Sequence, residues 1–164
     1  MKRKLLCLIT LLCLALLVGC NEKKKVEDGE FLLGQFGADW KKETFYLVVP
    51  IQWTGDSSVT INSIELVKNN QKPLTYEEDG IKYEFFGADS LKKSGIYGEA
   101  DVGDLKNING LEINGEEKIV LKLSLGDVKE DNERRVKIKL DSDGEEVEKI
   151  VVWKTLELLT TKTR

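Results

Sequence analysis

The chain has 164 residues, 25 basic against 29 acidic, a formal charge of −4, no histidine and one methionine, Met1. Without histidine, Ser–His and Cys–His nucleophilic catalysis are excluded, and the usual zinc and copper ligand sets are missing. No basic excess is available for a phosphate backbone, so nucleic acid is not an expected partner, and no glycine-rich phosphate loop opens a helix.

Residues 1–19 come first. Lys2, Arg3 and Lys4 precede an apolar run from Leu5 to Val18 broken only by Thr10, and Leu17-Val18-Gly19-Cys20 closes it. A basic head, a short apolar stretch and a small residue at the end are the layout of a secretory signal. The run is too short for a transmembrane helix of about 20 apolar residues, and Asn21-Glu22-Lys23-Lys24-Lys25 follows at once. The Leu17–Cys20 segment resembles the lipobox of bacterial lipoproteins. That resemblance implies a cleaved signal helix over 1–19, cutting between Gly19 and Cys20, and a diacylglyceryl group on the Cys20 sulfur. It places the chain on the extracytoplasmic face of a cell membrane, held there by acyl chains. Two chains anchor durably where one does not.

Cleavage removes three of the 25 basic residues (Lys2, Arg3, Lys4), so 22 would face 29 acidic ones and the charge would fall from −4 to −7. Cys7 and Cys13 leave with the same segment, so no intrachain disulfide is available and a core must hold the fold. Residues 20–29 continue as a charged tether, reaching roughly 30 Å at about 3.3–3.6 Å per residue. Lys23-Lys24-Lys25 would either lean on anionic headgroups or serve as a solubilising spacer.

Residues 30–164 are expected to form one domain, and their period is near two. Strands are predicted at Glu30–Phe36, Thr44–Trp53, Val59–Lys68, Ile81–Phe86, Lys118–Leu125, Arg134–Leu140 and Val147–Leu158. Val136-Lys137-Ile138-Lys139-Leu140 alternates strictly, as does Ile119 to Leu125, so each should bury one face. In the third strand the phase shifts at Asn62-Ser63, which requires a bulge or kink. Phe45–Trp53 and Ile150–Trp153 are continuously apolar and β-branched, which suggests central strands and argues against a terminal helix. Asp143-Gly144 between two strand candidates predicts a tight hairpin. Gly87 to Gly110, glycine-rich and acidic, is the longest stretch without pattern. It is either an interaction surface or an idle crossover.

About seven strands with turn signals between them predict an all-β, antiparallel sandwich. The segments FYLVVPIQWTGDSSVTINSIELVKNN, GLEINGEEKIVLKLSLGD and RRVKIKLDSDGEE resemble the immunoglobulin-like domains of small bacterial lipoproteins. The inter-sheet cysteine pair of antibody domains is absent.

Carboxylate-rich loops occur at Glu99–Asp104 and Asp141–Glu145, but neither matches the calcium-loop spacing, so no metal or other cofactor is expected. Of the three tryptophans, Trp53 and Trp153 are expected in the core. Trp40, among Asp39, Lys41 and Lys42, is expected nearest to solvent and is the candidate ligand-binding aromatic, with partial packing the favoured state. The function these features suggest is a non-enzymatic surface module that binds a protein partner in the cell envelope. A wall-polymer or carbohydrate binder and an extracellular protease inhibitor are the alternatives.

Overall fold

Thr44–Trp53 is apolar on both faces because it is covered on both. In the computed structural model, which describes residues 29–162, this segment is β2, and Leu47, Val48, Val49 and Ile51 are all essentially inaccessible. Odd-numbered residues Leu47, Val49, Ile51 and Trp53 point into the main core, while Tyr46 and Val48 join a smaller cluster on the opposite side. The predicted signal, the Gly19–Cys20 junction and most of the tether lie outside the described residues.

The remaining elements follow in order. β1 is Phe31–Leu33, β3 Val59–Lys68, α1 Tyr76–Asp79, β4 Ile81–Gly87 and β5 Gly95–Tyr97. A 3-10 turn spans Glu99–Asp101. β6 is Leu111–Ile113, β7 Glu116–Leu125, β8 Arg134–Ser142, β9 Glu145–Val151 and α2 Lys154–Glu157. They build two antiparallel sheets. One runs β1-β2-β7-β4, with β5 also paired to β2, and the other runs β6-β3-β8-β9. Inward side chains from both sheets form one core, among them Ile61, Leu66, Leu121, Ile138 and Leu140. Each such aliphatic contributes roughly 1.5–3 kcal/mol by leaving water. The all-β sandwich expected from the period-two pattern is the architecture observed.

Local detail follows the sequence closely in places. The β3–β8 register shifts between Ile61 and Ser63, so Asn62 is the extra residue of a bulge. Asp143 (φ 55°) and Gly144 (φ 84°) form the two-residue loop between β8 and β9, with both φ positive as a type I′ turn requires. Trp53 ends β2 in a slot that only glycine allows. A Cβ on Gly29 would lie 2.2 Å from the indole Cζ2, and one on Gly55 2.6 Å from Nε1. That Nε1 donates to the Ser57 carbonyl at 2.9 Å.

Two expectations need correcting. The strand predicted over Glu30–Phe36 is paired only at Phe31–Leu33, because Gly34 onward turns to meet the C-terminal segment. The strand predicted over Val147–Leu158 starts earlier, at Glu145, and ends at Val151, after which Lys154–Glu157 is a single helical turn. The β-branched run does resist helix, but it stops at Val152. Beyond it Thr155, Leu156 and Glu157 are buried, and tertiary contacts fix the turn. Thr155 accepts the Phe36 amide at 2.7 Å, and Glu157 pairs with Arg135 at 2.8 Å and Lys154 at 2.5 Å. The short strand β5 lies in the Gly87–Gly110 stretch without apolar period, and β6, which alternates over only Leu111-Glu112-Ile113, is too short to stand among the predicted strands.

Candidate functional site

Two features of the described chain bear on function, and the first surrounds Trp40. Its indole is only 7% exposed, the least buried of the three tryptophans but no solvent-facing platform. The polar neighbours Asp39, Lys41 and Lys42 do face water. The turn into β2 nevertheless swings the ring onto Phe45, edge to face, with centroids 5.3 Å apart and planes at 88°. Aromatic pairs prefer that geometry.

Beside this ring lies a cleft of about 390 Å³ between the Phe36–Trp40 segment and the C-terminal residues Thr155, Leu158, Thr160 and Lys162. Leu158 is more than half exposed on its wall. The buried Thr155 binds the far side through its hydroxyl, and its own amide donates to Gln35 Oε1 at 3.1 Å. A small, mostly apolar cleft of this size can accept an apolar group. The sequence brought Trp40 forward by its charged neighbours, and the structure gives it a structural role with one edge toward this cleft.

The second feature is the Gly87–Gly110 connection. It folds back over the outer face of the β1-β2-β7-β4 sheet. Gly87 and Lys106 exchange two backbone hydrogen bonds of 2.9 Å, and β5 pairs with Tyr46–Val48 of β2. Ala88 and Val102 then cover Tyr46, Val48 and Val120, with Phe86 and Tyr97 packed at the margin. This second small core explains why β2 is apolar on alternate residues that should otherwise face water.

At its tip the connection presents Leu91, whose side chain is 89% exposed. The backbone around it is fastened from several directions. Leu91 N–H donates to Asp89 Oδ1 at 2.9 Å, and Lys92 N–H to the Asp89 carbonyl at 3.0 Å. Lys118 Nζ reaches the Ser90 carbonyl at 3.0 Å, and the Tyr97 hydroxyl reaches the Lys93 carbonyl at 2.8 Å. Lys92 bonds the Asp101 carbonyl and lies 4.2 Å from the Tyr97 ring centroid. An outward leucine on a tied turn was not singled out from the sequence. The only signal was a lone apolar residue in Asp89-Ser90-Leu91-Lys92-Lys93-Ser94.

Among the described residues no group of three or more Asp, Glu, His or Cys side chains is placed to hold a metal ion. Asp141 instead caps the β8–β9 turn, accepting the Gly144 amide at 2.9 Å. No protein-family model, curated protein or solved structure matches this chain.

Proposed function

We propose that this chain is a lipid-anchored, extracytoplasmic interaction module that uses the tip of the Gly87–Gly110 connection to hold a protein partner in the cell envelope. The observation that carries the partner reading is Leu91, 89% exposed on a turn whose neighbours are tied down. A large apolar side chain held outward on ordered backbone loses little entropy when a partner covers it. Burying it in a pocket gives the kind of central anchor on which interfaces depend.

The anchor half of the reading rests on the Lys2–Lys4 head, the Leu5–Val18 run and the small residue before Cys20. The immunoglobulin-like part is supported by the strand orders β1-β2-β7-β4 and β6-β3-β8-β9. They follow the A-B-E-D and C-F-G orders of that fold, with β6 added at one edge.

The test places a photo-crosslinking amino acid at position 91 in intact cells. One reproducible partner band is expected, absent when the same group sits at position 150, and Leu91→Asp should weaken co-purification of that partner at least tenfold. Identical patterns from positions 91 and 150 overturn the partner reading. The anchor is tested separately. Cys20→Ser should leave the detergent phase for the aqueous one, and retention in the membrane through a high-salt wash overturns it. A fastened loop also suits a protease inhibitor, and slow, Leu91-dependent inhibition across a panel of extracellular proteases would favour that alternative.

A further inference from the structure

The outer face of the β1-β2-β7-β4 sheet is covered over only half its length. Across β2, β7 and β4 the register sets Val48, Val120 and Phe86 in one row, and this row lies beneath the Gly87–Gly110 connection. In the next row, Tyr46–Lys122–Glu84, Tyr46 is itself covered but Lys122 and Glu84 reach water, and the row beyond it, Thr44–Ser124–Lys82, is open. Flanking elements rise on both sides and make the open half concave. Glu99, the first residue of the 3-10 turn, stands at one wall of a hollow of about 280 Å³. Tyr76 and Glu77 of α1 stand at the wall of an adjoining hollow of about 710 Å³. The two hollows adjoin at Lys82, Tyr83 and Ser124 and together make a trough at this end of the sheet.

The two outer faces of the sandwich differ in how their charges are used. On the β6-β3-β8-β9 sheet, Lys137 lies 3.6 Å from Glu65 and 3.5 Å from Glu148, so the face neutralises itself. In the trough, among the described residues, no ion pair ties Lys82, Glu84 or Glu99. Lys122 is held with its ammonium 5.4 Å from the Tyr46 ring centroid. Tyr46, with Glu99 and Glu84 behind it, keeps this ammonium above the ordinary lysine pKa. The hydroxyls of Thr44 and Ser124 are 2.9 Å apart in the floor, and the Tyr76 ring is half exposed at the rim.

We propose that this trough binds a saccharide chain carrying both carboxylate and ammonium substituents. The two lysines take the carboxylates, Glu84 and Glu99 take the ammonium groups, and the paired hydroxyls and the Tyr76 face take the sugar ring. The mixed charge sets this ligand apart from nucleic acid, whose uniform phosphates the carboxylates would repel. A floor without an exposed apolar anchor sets it apart from a protein hot spot. The trough is separate from the Leu91 tip and does not depend on the partner reading.

The test uses the full chain in detergent micelles. The probe is the disaccharide–peptide that a muramidase releases from peptidoglycan, in which the peptide substituent on the sugar supplies the carboxylates and the ammonium, with a neutral chitin tetrasaccharide and an oligogalacturonate as controls. Calorimetry should show binding of the disaccharide–peptide, at least fivefold tighter than either control. The double variant Lys82→Gln/Lys122→Gln should weaken it at least tenfold, Glu84→Gln at least threefold, and Leu91→Asp not at all. Bound probe should also protect Lys82 and Lys122, but not Lys139, from acetylation read by mass spectrometry. Absence of binding, unchanged affinity in the double variant, equal affinity for the neutral control, or protection elsewhere would each overturn the assignment.

Discussion

The indole Nε1 of Trp153 donates to the carbonyl oxygen of Gly34 at 2.8 Å, joining two residues 119 positions apart. Two further bonds extend the seam, from the Phe36 amide to Thr155 Oγ1 at 2.7 Å and from the Thr155 amide to Gln35 Oε1 at 3.1 Å. The first strand's continuation and the last strand's continuation therefore clamp each other and close one side of the sandwich. Trp153 is 1% exposed, so Trp153→Phe removes both a donor and packed volume. Losses of this kind cost about 1–3 kcal/mol. The urea midpoint should fall at unchanged slope, and a midpoint equal to wild type would show that the seam contributes nothing.

Arg134 should behave differently, as a local staple. Its buried guanidinium donates from Nη1 to the Leu156 and Leu159 carbonyls, both at 3.1 Å, and from Nη2 to the Lys129 carbonyl at 2.6 Å. Arg134→Met leaves three carbonyls to find other partners, a loss of about 3 kcal/mol if they stay buried. Fraying of the C-terminal segment would let water reach them at lower cost. Amide exchange over residues 156–161 should therefore accelerate well beyond that of β2 and β7. Uniform acceleration would show that Arg134 supports the whole core instead.

Much of the sandwich was legible because a buried face dictates a period of two. Thr44–Trp53 and Val59–Lys68 coincide with the predicted strands residue for residue. The bulge was legible for the same reason, since a phase slip between Ile61 and Ile64 has no other regular solution. What failed has different physics. The turn at Lys154–Glu157 is fixed by Gln35, Phe36, Arg134 and Arg135 from distant parts of the chain, which no local window contains. The outward face of β2 looked like a central strand's second face, but nothing in the sequence said that its cover would be Ala88 and Val102. For the same reason the open row at Thr44, with Ser124 and Lys82, could not be told from ordinary solvated positions until the register was known.

The charged cluster at Lys68 predicts a pH dependence with two ends. Lys68 Nζ lies 2.9 Å from Asp79 and 3.5 Å from Asp131. The hydrogen bond with Asp79 leads in raising the lysine pKa, against partial burial. Burial pushes Asp131 up, but the Glu133 amide with Lys68 and Arg134 together outweighs it, and the carboxyl sits below its usual value. A depressed carboxylate stabilises the fold above its unfolded pKa, about 3.9, and that contribution is lost as pH falls through the folded value. A raised lysine stabilises below its unfolded pKa, about 10.4, and loses that contribution only as pH rises through the higher folded value. The Asp131 side chain is a quarter exposed, so screening holds its share to roughly 0.5–1 kcal/mol. Thermal melts of wild type and Asp131→Asn should differ by a constant amount from pH 5 to 9 and converge below about pH 4. A gap that does not narrow at all as pH falls from 5 to 2 would mean that Asp131 acts by shape and not by charge.

The bulge makes the sharpest prediction, because it inverts the usual expectation for deleting a residue from a buried strand. Val59 and Ile61 point inward before Asn62, and Ile64 and Leu66 point inward after it. Ile61 faces Leu140 and Ser63 faces Lys139, so Asn62 has no partner position of its own on β8. Removing Asn62 leaves Val59, Ile61, Ile64 and Leu66 on one face in strict alternation, with only the local twist lost. Removing Glu65, three residues later, has a different effect. Counted back from an inward Leu66, Ile64 turns to water and Ser63 turns inward, while Val59 and Ile61 keep their places. Exposing Ile64 costs roughly 1.5–3 kcal/mol, and burying the Ser63 hydroxyl without a partner adds about 1–3 kcal/mol. The Asn62 deletion should therefore keep a urea midpoint close to that of wild type, and the Glu65 deletion should lower it markedly. Two deletions with equal effects would mean that register in β3 is not set by its apolar face.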